Sequence, residues 1–501
     1  MIWVKRTAIA LVAVAVSIVI LDRLFPPPLS RGDNVAVLVS DRDGRPLRAI
    51  PTADSYWRLA ADLDDIDPVF VDALLEVEDQ RFWTHGGVDW LGMVRAAWSS
   101  ARAGHIVSGG STITMQTARL LEPRPRTIGS KLIEMVRAHQ IEARLSKREI
   151  LELYLTLTPY GGNLEGVRAA SWRYFGRAPD RLSDDQIALL IALPQSPEVR
   201  RPDLRPENAK AGRAVIADKL ERLGYFTSLR AEEVREAPLP SQSIAFPSEA
   251  WHASAVAASG QGHDVRSTLD RALQLELEQM AEAHAGQLEP DAQVAILVID
   301  IPTRAVRAAV GSASRSRAGG WIDLTDQSRS PGSTLKPFIY GMAFDDGDAA
   351  PDTRIADLPK RFASYQPENF DRMFRGDVRI SDALQHSLNI PAVLTLDRIG
   401  PERFASALTQ AGAPPRIQGS ATRDPGLALA LGGAGMTARE LAVLYAALGD
   451  GGHAKPLVWR ADEEAANAAL PGYRLMSDHS ANEIIKILQN LIIFLPTNRF
   501  L

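Results

Sequence analysis

The apolar pattern of the chain changes character several times, and each change predicts a different kind of element. Lys5 and Arg6 precede a run from Thr7 to Leu21 in which only Thr7 and Ser17 are polar. Asp22 and Arg23 close the run, and Pro26-Pro27-Pro28 follows. With its flanks from Trp3 to Phe25, the segment approaches the roughly 20 residues that span a ~30 Å hydrocarbon layer. Basic residues before the run, with no comparable cluster after it, place the N-terminus in the cytoplasm and the rest outside. A cleaved signal peptide is the rival reading. No small-x-small site follows the run, so an uncleaved single-pass anchor over residues 1–28 is expected.

Val35 to Val39 then reads as a strand leading into an Asp41-Arg42-Asp43-Gly44 turn. From about residue 66 to 225 the spacing is helical. Asp67-Pro68 suits an N-cap and first helical position, and Phe70, Leu74 and Val77 share one face. Capping boxes at Ser146–Glu149 and Ser183–Gln186 open helices over Ile150–Leu157 and Ile187–Leu193. Residues 29–235 thus read as a mainly α domain. Residues 236–265, rich in Pro, Ser, Ala and Gly, read as a linker. From 266 to 477 a helix over Leu269–Ala285, a buried strand over Val294–Ile299 and further alternation predict an α/β domain. No internal repeat is visible. Residues 478–501 depart from the Ala- and Arg-rich background, with five isoleucines between Ile484 and Ile493. An amphipathic helix or an altered, early-ended C-terminus accounts for that change.

Composition narrows the chemistry. Across 501 residues the net charge is −5, which gives no global pull toward nucleic acid. There is no cysteine, which excludes disulfides, thiolate metal sites and thiol nucleophiles.

Three short segments carry chemistry in the helical half. Glu78-Asp79-Gln80-Arg81-Phe82-Trp83-Thr84-His85-Gly86-Gly87 puts two carboxylates and a histidine where a helix meets a glycine turn. A carboxylate there, partly buried in a cleft, can serve as a general base. Gly109-Gly110-Ser111-Thr112-Ile113-Thr114-Met115-Gln116 offers backbone N–H groups and hydroxyls at a helix start, a cradle for phosphate oxygens. Its blander reading is N-capping by Ser111. Lys131 and Glu134 share a helix face at i,i+3. Between Arg119 and Glu149 there are eight basic and four acidic residues, a local cation surplus suited to a diphosphate.

In this order the segments resemble glycosyltransferase family 51, the polymerase domain of class A penicillin-binding proteins. The likeness covers about residues 66–205. It continues through Ile150–Leu155 and Leu193-Pro194-Gln195-Ser196-Pro197. Met115, Ser130 and Thr156 depart from the family pattern, and the last two put diphosphate binding or positioning in doubt. The resemblance implies a lysozyme-like fold, with lipid II and a growing glycan strand as substrates. Glu78 is then the base, and Glu134 acts at the diphosphate directly or through a divalent cation (Mg or Mn). Lys131, Gly110, Ser111, Thr112, Gln116 and Arg119 hold phosphate or sugar oxygens. Asp79, Phe82 and His85 shape the site. Trp90, Leu91, Val94 and Trp98 form a helical stripe read as core-facing, with contact to lipid as the alternative. A lysozyme-like hydrolase is the chemical rival, disfavoured because it has no anionic leaving group to hold.

The second half contains Ser330-Pro331-Gly332-Ser333-Thr334-Leu335-Lys336-Pro337. At i,i+3 in a helix, Lys336 sits beside Ser333 and can activate it. Ser387-Leu388-Asn389 follows about 50 residues on. Together these resemble the transpeptidase domain of the same family, with Ser333, Lys336, Ser387 and Asn389 as its catalytic groups and a beta-lactam as a ligand at Ser333. The Lys-Thr/Ser-Gly strand of that family has no counterpart after Asn389. A penicillin-recognising serine domain lacking its C-terminal strands, and so inactive, is expected. A bifunctional enzyme and a non-catalytic scaffold among other cell-wall proteins are the alternatives. The implied location is the bacterial inner membrane, with the catalytic domains periplasmic.

Overall fold

The computed structural model describes residues 20, 22–103, 110–289, 291–362, 365–417 and 425–489. The predicted anchor falls almost wholly outside these residues. Among those described, no helix is long and apolar enough to cross a membrane. The chain forms two compact units. The first comprises residues 1–38, 49–247 and 260–264; the second comprises 39–48, 248–259 and 265–501.

The first unit is mainly helical. Helix α1 (Pro68–Glu78) starts where the Asp67 carboxylate accepts from the Val69 amide at 2.9 Å, with Pro68 as first residue. Phe70, Ala73, Leu74 and Val77 are buried, as the 3.6-residue period requires. There follow α2 (Trp90–Ala103), α3 (Ile113–Leu121), α4 (Ile128–Glu142) and α5 (Lys147–Leu157). The predicted box at Ser146 is formed, with the Glu149 carboxylate accepting from the Ser146 amide at 2.7 Å. Helices α6 (Val167–Phe175), α7 (Asp184–Ala192), α8 (Pro206–Arg222) and α9 (Ser228–Glu236) complete the set. One apolar core runs through α1, α3, α5, α7 and α8, with Phe70, Ile113, Leu155, Ile187 and Leu220 fully buried.

Two strands of the first unit, Trp57–Arg58 and Leu164–Glu165, pair in parallel, and Pro159–Gly161 adds a third, antiparallel strand. Arg58 is buried there against Glu165 at 2.5 Å, and Arg31 reaches the other oxygen of that carboxylate at 2.9 Å. Two positive partners make burial of Glu165 tolerable.

In the second unit, residues 39–48 make the turn expected from the sequence: Gly44 has φ +88°, and the buried Asp41 carboxylate accepts from the amides of Asp43 and Arg45. The segment read as a linker is more ordered than expected, for it contains helix α10 (Trp251–Ala257) with Ala253, Ser254 and Ala257 buried. Its alanines are small enough to pack closely, a signal that the Pro and Ser content around them masks. Helix α11 (Arg271–Ala285) precedes a hairpin of Ile296–Ile299 and Val306–Val310. Val306 is extended on its far side by Val458, whose carbonyl accepts from the Val306 amide at 2.9 Å. Among the described residues the Ile296–Ile299 strand pairs only with that hairpin partner, and its four apolar side chains are half-buried.

A helical layer follows, of α12 (Lys336–Asp345), α13 (Ile380–Gln385), α14 (Asn389–Ile399), α15 (Pro401–Gln410), α16 (Ala438–Gly449), α17 (Ala461–Ala468) and α18 (Asp478–Gln489). Its core gathers Phe338, Ile339, Val393, Leu396, Phe404 and Leu444. The unusual C-terminal composition forms an ordinary amphipathic helix as far as Gln489, burying Ala481, Ile484 and Ile487. Residues 490–501 lie outside the description.

Candidate functional site

Glu78 is the last residue of α1, so its side chain leaves the helix at the rim of a cavity of about 820 Å³. The same cavity is bordered by Asp79, Gly110, Ser111, Thr112, Gln116, Arg119, Arg126, Tyr154, Gln195, Lys219 and Arg222. Two neutral amides hold the carboxylate: Gln116 Nε2 donates to Oε2 at 3.0 Å and Gln195 Nε2 to Oε1 at 3.2 Å. Tyr154 lies behind, its hydroxyl 3.4 Å from Gln116 Oε1. Burial, helped by the Glu78 charge, pushes the Tyr154 phenol well above its usual range, so it stays protonated.

On the facing side, Lys131 Nζ donates to Ser111 Oγ at 2.5 Å and to Glu134 Oε2 at 3.0 Å. Arg119 stands 3.9 Å from the other Glu134 oxygen. Ser111, Lys131, Glu134 and Arg119 therefore meet, with Arg126 nearby on the cavity wall and more exposed. Glu134 is buried between two cations, and among the described residues no group of three or more His, Asp or Glu side chains is placed to hold a metal. The donors present suit an anion held by ammonium, guanidinium and hydroxyl groups, and a divalent cation there would be held by the single Glu134 carboxylate together with the phosphates it binds.

Asp79 is a strut. Its carboxylate accepts from His85 Nε2 at 3.0 Å and from the Ile113 amide at 2.9 Å, joining the end of α1 to the start of α3. The Gly87 amide donates to His85 Nδ1 at 3.2 Å, which assigns the ring proton to Nε2. Phe82 is fully buried against His85 and Trp83. The hydroxyl of Thr112 is committed elsewhere than sequence reasoning placed it: it donates to the Gly87 carbonyl at 2.6 Å and accepts from the Met115 amide. Thr112, not Ser111, is the N-cap, which leaves the Ser111 hydroxyl to Lys131. Gly110 passes so close to Met93 that a Cβ would lie 3.2 Å from its Cγ. Thr156, a departure from the family pattern, is buried and accepts from the Ala61 amide at 2.9 Å, outside the cavity wall.

The stripe on α2 is not core. Trp90, Leu91, Val94 and Trp98 are more than half exposed, as are Ile128, Leu132 and Val136 on α4. Trp90 stacks on His139 of α4, so the two exposed rows are neighbours.

In the second unit Ser333 lies in a single 3-10 turn (Gly332–Leu335), and Lys336 begins α12. The lysine does not turn to Ser333 as an α-helical i,i+3 pair would. Its Nζ donates to Ser387 O at 2.6 Å, Ser387 Oγ at 3.1 Å and Asn389 Oδ1 at 2.7 Å. Burial lowers its pKa to about 8. Ser387 sits at φ +52°, a strained position for a residue with a Cβ. Asn389 is fixed further by Asn369 Oδ1, which accepts from its amide at 2.7 Å, and Asn369 in turn donates to the buried Asp357. Neither later lysine joins this cluster. Lys455 bonds Ala468 O and Lys486 pairs with Glu483.

Comparison with known proteins gives a match for each site. The Transglycosylase family matches residues 43–221, and the Penicillin binding protein transpeptidase domain matches residues 294–491. One polymerase-type and one penicillin-type site on a single chain define the class A penicillin-binding proteins, and the chain belongs to that family. It is 40% identical to penicillin-binding protein 1C of Escherichia coli (strain K12) over 445 residues, 88% of this chain and 57% of that protein. To penicillin-binding protein 1B of Haemophilus influenzae it is 30% identical, over 75% of this chain and 54% of the relative. The chain thus spans little more than half the length of these relatives. In fold it is similar to the crystal structure of penicillin-binding protein 1A from H. influenzae, with TM-score 0.51 and 16% identity over 93% of this chain and 81% of that one.

Gln195, Tyr154, Arg126, Lys219 and Arg222 were given no role from the sequence. Gln195 stood in a recognisable phrase, Leu193–Pro197, but nothing in its surroundings indicated that its amide would reach Glu78.

Proposed function

We propose that the chain is a peptidoglycan glycosyltransferase that polymerises lipid II, releasing undecaprenyl diphosphate. The observation that carries this is Glu78 facing, across one cavity, a wall of Ser111 and Arg119 backed by Lys131 and Glu134. A base stands on one side, and anion-binding groups for a departing diphosphate stand on the other.

Glu78 takes the proton of the acceptor GlcNAc 4-hydroxyl as that oxygen bonds to the MurNAc anomeric carbon. The bond from that carbon to the lipid diphosphate breaks, and its electrons leave with the diphosphate. General-base assistance is worth about 10²–10⁴ in rate. Gln116 and Gln195 aim the carboxylate, while Asp79 and His85 hold α1 and α3 in register. Lys131, Ser111, Arg119 and Arg126 stabilise the negative charge that grows on the leaving group. The two cations on Glu134 supply local charge, and a divalent cation held between that carboxylate and the diphosphate would add to it.

The substrate is lipid-linked, which fits an N-terminal single-pass anchor in the bacterial inner membrane with both units periplasmic. The exposed apolar rows on α2 and α4 are the surface that meets the bilayer. In the second unit Ser333 is exposed and its hydroxyl makes no hydrogen bond among the described residues, while Lys336 is held by Ser387 and Asn389. In this reading the transpeptidase half, whose Lys336 amine is turned to Ser387 and Asn389, does not complete acyl transfer. Labelled penicillin decides between this and a bifunctional enzyme: covalent labelling lost in Ser333→Ala supports the latter. The polymerase is tested by lipid II turnover with purified protein. Glu78→Gln, which keeps the shape but not the basicity, must abolish it; a Glu78→Gln protein that still polymerises sinks the proposal and leaves a scaffold.

A further inference from the structure

Glu78 occupies an unfavourable place for a carboxylate. A helix C-terminus carries partial negative charge, and its last carbonyls lack amide partners within the helix. In α1 the Asp79 amide reaches back to Leu75 O, and Glu78 itself is the final helical residue. Two residues on from Leu75, Val77 O accepts a hydrogen bond from Lys219 Nζ, which reaches in from α8. Lys219 is half-buried and borders the same cavity as Glu78. The structure thus sets an ammonium on the end of the helix that carries the base, one residue away from it.

We propose that Lys219 is a positioning residue for Glu78, capping the C-terminal end of α1 and so fixing the place from which the Glu78 carboxylate reaches the cavity. This rests on the reading of Glu78 as the base.

Of the other charged and titratable groups bordering the cavity, the exposed Arg95 and Arg126 side chains make no hydrogen bond or ion pair among the described residues, and the rest are engaged. On α1 and the loop after it, Glu76 accepts from Gln80, Asp79 from His85 and Ile113, and Arg81 pairs with Asp89. On α3, Arg119 faces Glu134. On α5, Tyr154 is a neutral phenol. Arg200 donates to Ala192 O and Gln195 Oε1, and Arg222 on α8 donates to Asp218 O. Gln116 and Gln195 bond the carboxylate directly but bring no charge. Burial works against the Lys219 ammonium, while Glu78 favours it, so the ammonium that grips Val77 O depends on the carboxylate beside it.

The test is lipid II polymerisation by the purified full chain, with Lys219→Met, Lys219→Gln, Lys219→Arg and Glu78→Gln run together. Lys219→Met, which loses the donor to Val77 O, is expected to lower kcat about 10-fold with KM within about twofold. Lys219→Arg and Lys219→Gln, which keep a donor, are expected to recover most of that loss. A kcat within about twofold of the wild type in folded Lys219→Met protein overturns the inference, as does a loss that appears wholly in KM or one that neither Lys219→Arg nor Lys219→Gln recovers. Glu78→Gln separates the two levels. If it abolishes turnover while the Lys219 variants match the wild type, only this inference falls; if it leaves turnover intact, the base assignment falls as well.

Discussion

Gln195 donates its amide hydrogen to Glu78 at 3.2 Å, across 117 positions of sequence. Gln116 grips the other oxygen of the same carboxylate, so the proposed base is held from two directions by groups that carry no charge. Gln195 is itself braced by Arg200, 3.0 Å from its oxygen, which orients the amide with nitrogen toward Glu78.

Replacing Gln195 by Ala removes a donor to a charged acceptor, an interaction worth about 1.5–3 kcal/mol. Turnover of lipid II is expected to fall about 10–100-fold, chiefly in kcat, because the carboxylate loses its aim. Steady-state kinetics on the purified protein check this; a variant within twofold of the wild type contradicts it.

Asp79 is expected to matter for stability as well as for activity. In Asp79→Ala the His85 Nε2–H and the Ile113 amide lose their acceptor inside the protein, at about 1–3 kcal/mol each for buried groups. Denaturant unfolding of the first unit should show a midpoint clearly below the wild type. Asp79→Asn, which keeps one acceptor oxygen, should recover part of the loss.

Lys336 makes the second unit sensitive to alkaline pH. Its pKa is about 8 in the folded protein against 10.5 for an unburied lysine, so between these values the unfolded chain binds more protons. Stability contributed through this group therefore rises as pH increases from about 8 to 10.5, by on the order of 3 kcal/mol. Below pH 8 both states are charged and the burial cost is borne in full. Lys336→Met is expected to lack this rise, which denaturant titrations of both proteins across that pH range would reveal.

The apolar rows on α2 and α4 lead to a prediction about surfaces. Trp98 and Leu91 are more than 70% exposed, so changing both to Ser is expected to leave thermal stability within about 0.5 kcal/mol. Flotation with vesicles of bacterial lipid should nevertheless show weaker association of the doubly changed protein, and lipid II embedded in a bilayer should be used more slowly. Equal flotation and equal turnover would remove the membrane role from this face.

Much of the first unit was legible in the sequence because its signals are local. Asp67-Pro68 and Ser146–Glu149 fix helix starts through contacts no more than four residues apart. The i,i+3 spacing of Lys131 and Glu134 guaranteed that the two would meet on α4. The α2 stripe misled for a related reason: period alone says that four apolar side chains share a face, not whether protein covers that face. Position 112 was misread because two adjacent hydroxyls compete for one cap, and a carbonyl 25 residues away, on Gly87, decides between them.

The sequence by itself determined which residues are candidates for the chemistry and on which local elements they stand, since caps, turns and helix faces depend on near neighbours. Tertiary structure alone decided their partners. Gln195 and Lys219 come to Glu78 from helical segments more than a hundred residues on, and Lys336 turns from Ser333 to Ser387 and Asn389. Those contacts follow from how buried faces pack against one another, a property of the whole core that no short window of sequence contains.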